Sequence, residues 1–136
     1  MIIPLFDDQT VLLEKQYRHA LKKSFWEFPA GKLDFHETAE QAAHRELQEE
    51  TGYTAGKMRW LTTIHPVIGY ADEHIEIFLA EDLSLGKQRL DEGEHLTLHR
   101  KKVSEVLGLV KSGQVTDVKT QIGLFWLEKI LSGQWR

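Results

Sequence analysis

The chain has 136 residues, 41% hydrophobic and 28% charged, with a formal net charge of −4 and no cysteine. The length predicts one domain over residues 1–136, and the missing cysteines exclude disulfide scaffolds, thiolate zinc sites and cysteine nucleophiles. A negative balance offers no basic surplus to a nucleic acid backbone, no apolar run reaches membrane-span length, and Met1-Ile2-Ile3-Pro4 lacks a signal-peptide layout, so nucleic acid and membrane are not expected partners and the cytoplasm is the expected compartment.

Residues 1–6 are apolar and read as a strand, with Pro4 confined to an edge or bulge. Asp7-Asp8-Gln9 is a turn signal, and the β-branched and aliphatic run at residues 10–17 reads as the second arm of a hairpin. Residues 24–28, SFWEF, alternate as a half-buried strand does and end at Pro29-Ala30-Gly31. Glu27, among large apolar neighbours, is open to two readings: an outward-facing residue on the polar face, or part of a site. Thr38 is a good N-cap, Gln41 stands where a capping box wants an amide or carboxylate, and Gly52 is placed to end the helix, so residues 39–51 are predicted helical. Residues 57–64 and 74–80 are predicted strands around a polar loop containing Pro66 and Gly69, a common place for a substrate site. Residues 83–94 read as a charged flexible loop and residues 95–100 as a strand. Two helices follow, at residues 103–112 and 116–131, with Gly113 and Gly133 at their ends. Antiparallel strands with helices on both sides predict an α/β/α sandwich.

The helix at residues 39–51 carries the chemistry. At 100° per residue, Ala39, Ala43, Glu46 and Glu50 share a narrow arc flanked by Ala42 and Leu47, with Gln41, His44 and Gln48 opposite. An ordinary glutamate-rich helix would present a solvated face laced by pairs three and four residues apart. Here the carboxylates extend the apolar stripe, where they repel one another unless a cation neutralises them. A hard divalent ion such as Mg²⁺, with Mn²⁺ as a substitute, meets that need.

The spacing is also familiar. Gly31, five residues, Glu37, seven residues, Arg45-Glu46, the apolar Leu47, one residue, Glu49-Glu50, one residue and Gly52 resemble the Nudix box of the nucleoside-diphosphate-linked-moiety hydrolases. Seven fixed positions at ordinary usage match by chance on the order of 10⁻⁹ to 10⁻⁸ per start site. Tyr53 and His36 depart from the usual box without touching a ligand position. Gln16-Tyr17-Arg18, Trp26 to Lys32, Gly69 to Glu73 and Ser112 to Thr120 are similar to the ADP-ribose pyrophosphatase and nucleoside-diphosphate-sugar branch.

The resemblance implies an α/β/α sandwich with a mixed sheet and a loop-helix-loop catalytic motif. It implies metal ligation by Glu46, Glu49 and Glu50, with Glu37 and the Ala30 carbonyl contributing, and Arg45 as the orienter of the box carboxylates. Arg18 and Glu27 are expected to bind substrate, with Gly69 and Glu73 on the loop. Glu94, or else Glu92, is expected as the loop carboxylate acting as base or last metal ligand. The implied substrate is ADP-ribose or a related nucleoside diphosphate sugar, the alternatives being a GDP-mannose-type substrate or a sensor that binds without cleaving. A homodimer is implied too, although relatives in this branch carry an N-terminal dimerisation arm that this chain is expected to lack, since its first strand opens the core.

Overall fold

The computed structural model describes residues 1–90, 92 and 95–136. Its architecture follows from the alternation of side chains along two neighbouring strands, β1 (Ile2–Pro4) and β5 (Ile75–Leu85). Successive strand residues point to opposite faces. Ile2, Phe78 and Ala80 pack with Ala43 and Leu47 of helix α1 (Ala39–Thr51), whereas Ile3, Ile77 and Leu79 enter the main core with Val11, Leu13, Leu124 and Leu127. All these side chains are buried. A sheet apolar on both faces has to be covered on both, and that requirement produces the layers.

β1 runs parallel to β5, with Ile2 opposite Phe78 and Pro4 opposite Ala80, and β4 (Tyr53–Ile64) pairs antiparallel on the other side of β5. The mixed sheet therefore has the order β1-β5-β4. A second, antiparallel sheet has the order β3-β2-β6, built from β2 (Thr10–Arg18), β3 (Lys23–Glu27) and β6 (Leu96–Lys102). Helices α2 (Val103–Lys111) and α3 (Val118–Leu131) supply Val103, Val106, Leu124 and Leu127 to the core on the side away from α1. The result is the expected α/β/α sandwich, with its strands divided between two sheets. Among the described residues no helix is long and apolar enough to cross a membrane.

Two expectations need correction. Residues 1–17 do not form a hairpin: β1 and β2 lie in different sheets and meet at a single bridge, Leu5 to Val11. Ile2 and Ile3 are both buried, on opposite faces, so β1 is placed where helix and core cover it from two sides. Pro4 sits, as expected, on an edge strand, where its missing N–H costs no ladder bond. The loop expected from residue 83 begins later, because β5 continues to Leu85 through pairs such as Thr54 with Ser84.

The helix that carries the glutamates forms as its caps dictate. Thr38 accepts from the Gln41 N–H at 3.2 Å, the Gln41 side chain accepts from the Thr38 N–H at 2.9 Å, and Gly52 closes the helix with φ of 79°. Leu47, fully buried against the sheet, sets the rotation of the helix about its axis. Leu47→Ala is expected to cost about 2–5 kcal/mol of unfolding free energy, read from urea midpoints at unchanged slope.

Candidate active site

Turning Ala42, Ala43 and Leu47 to the sheet leaves Glu46 and Glu49 on the flank of α1 and buries Glu50 at 2% exposure. Arg45 gathers the flank. Its Nε and Nη2 donate to the two oxygens of Glu37 at 2.8 and 3.0 Å, and its Nη1 donates to Glu46 Oε1 at 2.8 Å and Glu49 Oε2 at 3.0 Å. Nη2 also donates to the Lys32 carbonyl at 2.9 Å, which ties the preceding loop to the helix. The planar fork suits this task because its donors point along fixed directions to several acceptors at once. The Arg45 guanidinium and the Asp34 N–H together hold the Glu37 carboxyl at about 2, well below its ordinary 4.5, and the same bonds raise Arg45 further.

The turn before the helix closes the other side. The Ala30 N–H donates to Glu50 Oε2 at 3.1 Å. A Cβ built on Gly31 would overlap the Glu46 carboxyl group, so the absent side chain leaves the space that this carboxylate fills. Ala30, Glu46 and Glu50 are thereby brought together, with Glu49 and Glu37 joined through Arg45. Among the described residues no three carboxylate or imidazole groups form a ready metal-ligating cluster, and both Glu46 and Glu49 are turned onto Arg45 Nη1. The donors are nevertheless all oxygen, which suits a hard divalent cation.

A cleft of about 590 Å³ opens beside this corner, lined by Ala30, Gly31 and Glu46 on one side and by Arg18, Glu73 and Lys119 among the rest. Glu27 does not line it and does not face outward either. It is 3% exposed, correcting the outward-facing reading, and its carboxylate accepts from Arg18 Nε at 2.8 Å, Arg18 Nη2 at 2.6 Å and Lys119 Nζ at 3.2 Å. Arg18 is raised above its ordinary value, first by that bond. Lys119 also donates to both oxygens of Asp117 at 3.0 Å. Gly69 is exposed and outside the cleft wall; Glu92 is exposed in a turn, and Glu94 lies outside the described residues.

Sequence reasoning missed Lys119 and Glu14. Lys119 sits in the first turn of α3, where the helix dipole disfavours a cation, and that misplaced charge after the N-cap Asp117 was the available signal. Glu14 is 1% exposed and opposite Glu27 in the β2–β3 register, a second buried carboxylate on the same strand pair. Within the run TVLLEKQY nothing distinguishes it from a solvent-facing strand residue.

Comparison with known proteins adds an independent line. The model described as NUDIX domain matches residues 1–119. The chain is 39% identical over 129 residues to "ADP-ribose pyrophosphatase" of Bacillus subtilis (strain 168), covering 93% of this chain and 70% of that one. It is 36% identical over 129 residues to "Methanol dehydrogenase activator" of Bacillus methanolicus, again covering 93% and 70%. A solved structure described as "Crystal structure of ADP compounds hydrolase" superposes with a TM-score of 0.87 at 25% identity, covering 99% of this chain and 74% of that one.

The pH dependence of the Arg45 hub follows from its signs. Glu37 has a depressed value in the folded chain, so its contribution is complete above 4.5 and is lost as pH falls toward about 2. Arg45→Met removes that contribution and leaves three carboxylates facing one another. The melting temperature of Arg45→Met is expected to fall furthest below wild type at neutral pH, and thermal melts should show the gap narrowing as pH drops below 4.5.

Proposed function

Because the chain belongs to the NUDIX domain family and is a pyrophosphohydrolase, we propose that it hydrolyses the pyrophosphate bond of ADP-ribose or a closely related nucleoside diphosphate sugar. Water adds to one phosphorus, the bridging P–O bond breaks, and a nucleoside monophosphate and a sugar phosphate leave. The observation that carries this reading is the cleft itself: cationic Arg18 and Lys119 share it with Glu46 and the Ala30-Gly31 turn, so donors for a diphosphate stand beside oxygen donors for a cation. The names borne by the Bacillus subtilis relative and by the superposing structure agree with that substrate class.

Members of this family use divalent metal ions, and Mg²⁺, with Mn²⁺ as a substitute, is the ion proposed here. Glu46, Glu49 and Glu50 with the Ala30 carbonyl would hold it, and Glu37 would support the set through Arg45. When bound, such an ion neutralises phosphate oxygens and makes water more nucleophilic. The remaining work belongs to the chain. Arg45 holds Glu37 ionised and aims Glu46 and Glu49, and Gly31 preserves the space for Glu46. Arg18 and Lys119 offer directed donors to the diphosphate, and Glu27, with its oxygens already engaged, acts through them by fixing their positions. Glu73 contributes from the cleft wall, whereas Gly69 lies on the loop outside that wall. A loop carboxylate, Glu94 or Glu92, serves as base or last metal ligand.

The deciding experiment is a panel of sugar nucleotides and dinucleotides, GDP-mannose included, assayed by phosphatase-coupled phosphate release with Mg²⁺, with Mn²⁺ and after chelation. ADP-ribose is expected to have the highest kcat/KM, and chelation is expected to abolish turnover. A preference for guanine-linked sugars would replace the substrate while leaving the chemistry. Glu50→Gln is expected to lose on the order of 10³-fold or more in kcat; wild-type turnover in that variant would refute the metal-site mechanism. Lys119→Gln, measured on folded protein, is expected to raise KM by about tenfold or more, because a hydrogen bond to a charged group is worth roughly 1.5–3 kcal/mol.

A further inference from the structure

An α-helix ends with carbonyls that have no partner within the helix. In α1 those carbonyls include the ones of Glu49 and Glu50, and donors reach the carbonyls from Leu47 through Glu50. The Thr51 hydroxyl donates to the Leu47 carbonyl, and the Gly52 N–H donates to the Gln48 carbonyl at 2.9 Å. The next two are met from a segment far along the chain: the Arg89 N–H donates to the Glu49 carbonyl at 2.6 Å, and the Gln88 side-chain amide, 38 residues away, donates to the Glu50 carbonyl. The Gly86 N–H completes the contact by donating to the Gly52 carbonyl at 2.6 Å.

Gly52 is shaped for this approach. It has φ of 79°, and a Cβ there would stand 2.9 Å from the Gln88 nitrogen. Glycine thus serves both the left-handed cap and the close passage of residues 86–88.

The electrostatics point the same way. The C-terminal end of a helix carries partial negative charge, and α1 puts Glu49 and Glu50 in its last turn with no basic residue there. Carbonyls left bare at that end would add to the repulsion around the carboxylates. Donors from residues 86–89 offset it and also fix direction. Each glutamate is held at two points: Glu49 by Arg45 on its carboxylate and by Arg89 N–H on its carbonyl, Glu50 by Ala30 N–H on its carboxylate and by Gln88 on its carbonyl.

We propose that Gln88 is a positioning residue for cation binding: its amide fixes the main chain of the last turn of α1, so that Glu49 and Glu50 present their carboxylates without reorganisation. This rests on the metal reading of the same glutamates given above. Partners of metal-ligating residues that do not touch the ion typically change metal affinity by about 10- to 100-fold. Gln88 acts through a backbone carbonyl, so the low end of that range applies.

The test uses the full chain and Mn²⁺ alone as the probe, titrated by electron paramagnetic resonance against wild type, Gln88→Leu, Gln88→Lys and Glu50→Gln, with amide hydrogen exchange at residues 49–53 in metal-free protein. Gln88→Leu is expected to bind Mn²⁺ about tenfold more weakly and to exchange faster at those amides. Gln88→Lys keeps an N–H donor for the helix end and is expected to bind within about threefold of wild type. A purely structural role would lower thermal stability without moving Mn²⁺ affinity, and that result overturns the proposal, as does a Gln88→Lys loss equal to that of Gln88→Leu. Should Gln88→Leu fail to fold, Gln88→Asn, shorter by one methylene, is read by the same criteria. Glu50→Gln separates the two levels: if it binds Mn²⁺ as wild type does, the metal reading fails, whereas weak binding there with unchanged binding in Gln88→Leu rejects only the role of Gln88.

Discussion

Like charges on one helix flank do not stay together unaided, and in this protein they are held by one guanidinium. Arg45 bonds Glu37, Glu46 and Glu49 and reaches the Lys32 carbonyl, so the loop before the helix and the helix itself share a single electrostatic centre. A lysine could neutralise part of the same charge, but its three donors radiate from one point and cannot span acceptors on residues 32, 37, 46 and 49 together. The cost of gathering the carboxylates is met by an unusually well-bonded Arg45, and the depressed Glu37 value is the same interaction seen from its partner.

That arrangement is useful only if the helix cannot rotate or slide, and the restraint comes from packing. Leu47 and Ala43 occupy the space over Ile2, Phe78 and Ala80, so the flank with Glu46 and Glu49 has one orientation available. The opposite face of the same sheet is filled by Ile3, Ile77 and Leu79 against α3 and β2. A disturbance in either layer reaches the glutamates through β1 and β5, which form both walls. The Ala30-Gly31 turn then abuts the helix closely enough that a methyl group on Gly31 would take the space of the Glu46 carboxylate.

Features written in local sequence were legible and those written in distant contacts were not. The bounds of α1 followed from Thr38, Gln41 and Gly52, all within the helix or next to it, and the burial of Ala42, Ala43, Leu47 and Glu50 followed from periodicity. The partner of β1 did not. The sequence around residues 7–9 has the chemistry of a hairpin turn, yet Ile2 and Ile3 gain more by lying between two layers beside β5, over seventy positions away by register with Phe78. Glu27 was ambiguous for a related reason: one of its cations, Arg18, meets it only through the β2–β3 pairing, and the other, Lys119, is 92 residues distant. The cap on the end of α1 from Gln88 and Arg89 lay equally out of reach of local reasoning.

The cleft has a charge logic that ties its two halves. Arg18 and Lys119 are already matched by Glu27 and Asp117, so this wall has no surplus positive charge with which to draw in a diphosphate. Glu46, Glu73 and Glu76 line the same space and would repel the substrate. A cation held at Glu46 would change that balance, offsetting the repulsion while Arg18 and Lys119 supply directed donors. A divalent ion and a diphosphate should therefore favour each other's binding in this cleft. Under the proposed reading, the balanced pairs at Arg18 and Lys119 would act through geometry, selecting for where the diphosphate lies rather than for how much charge it carries.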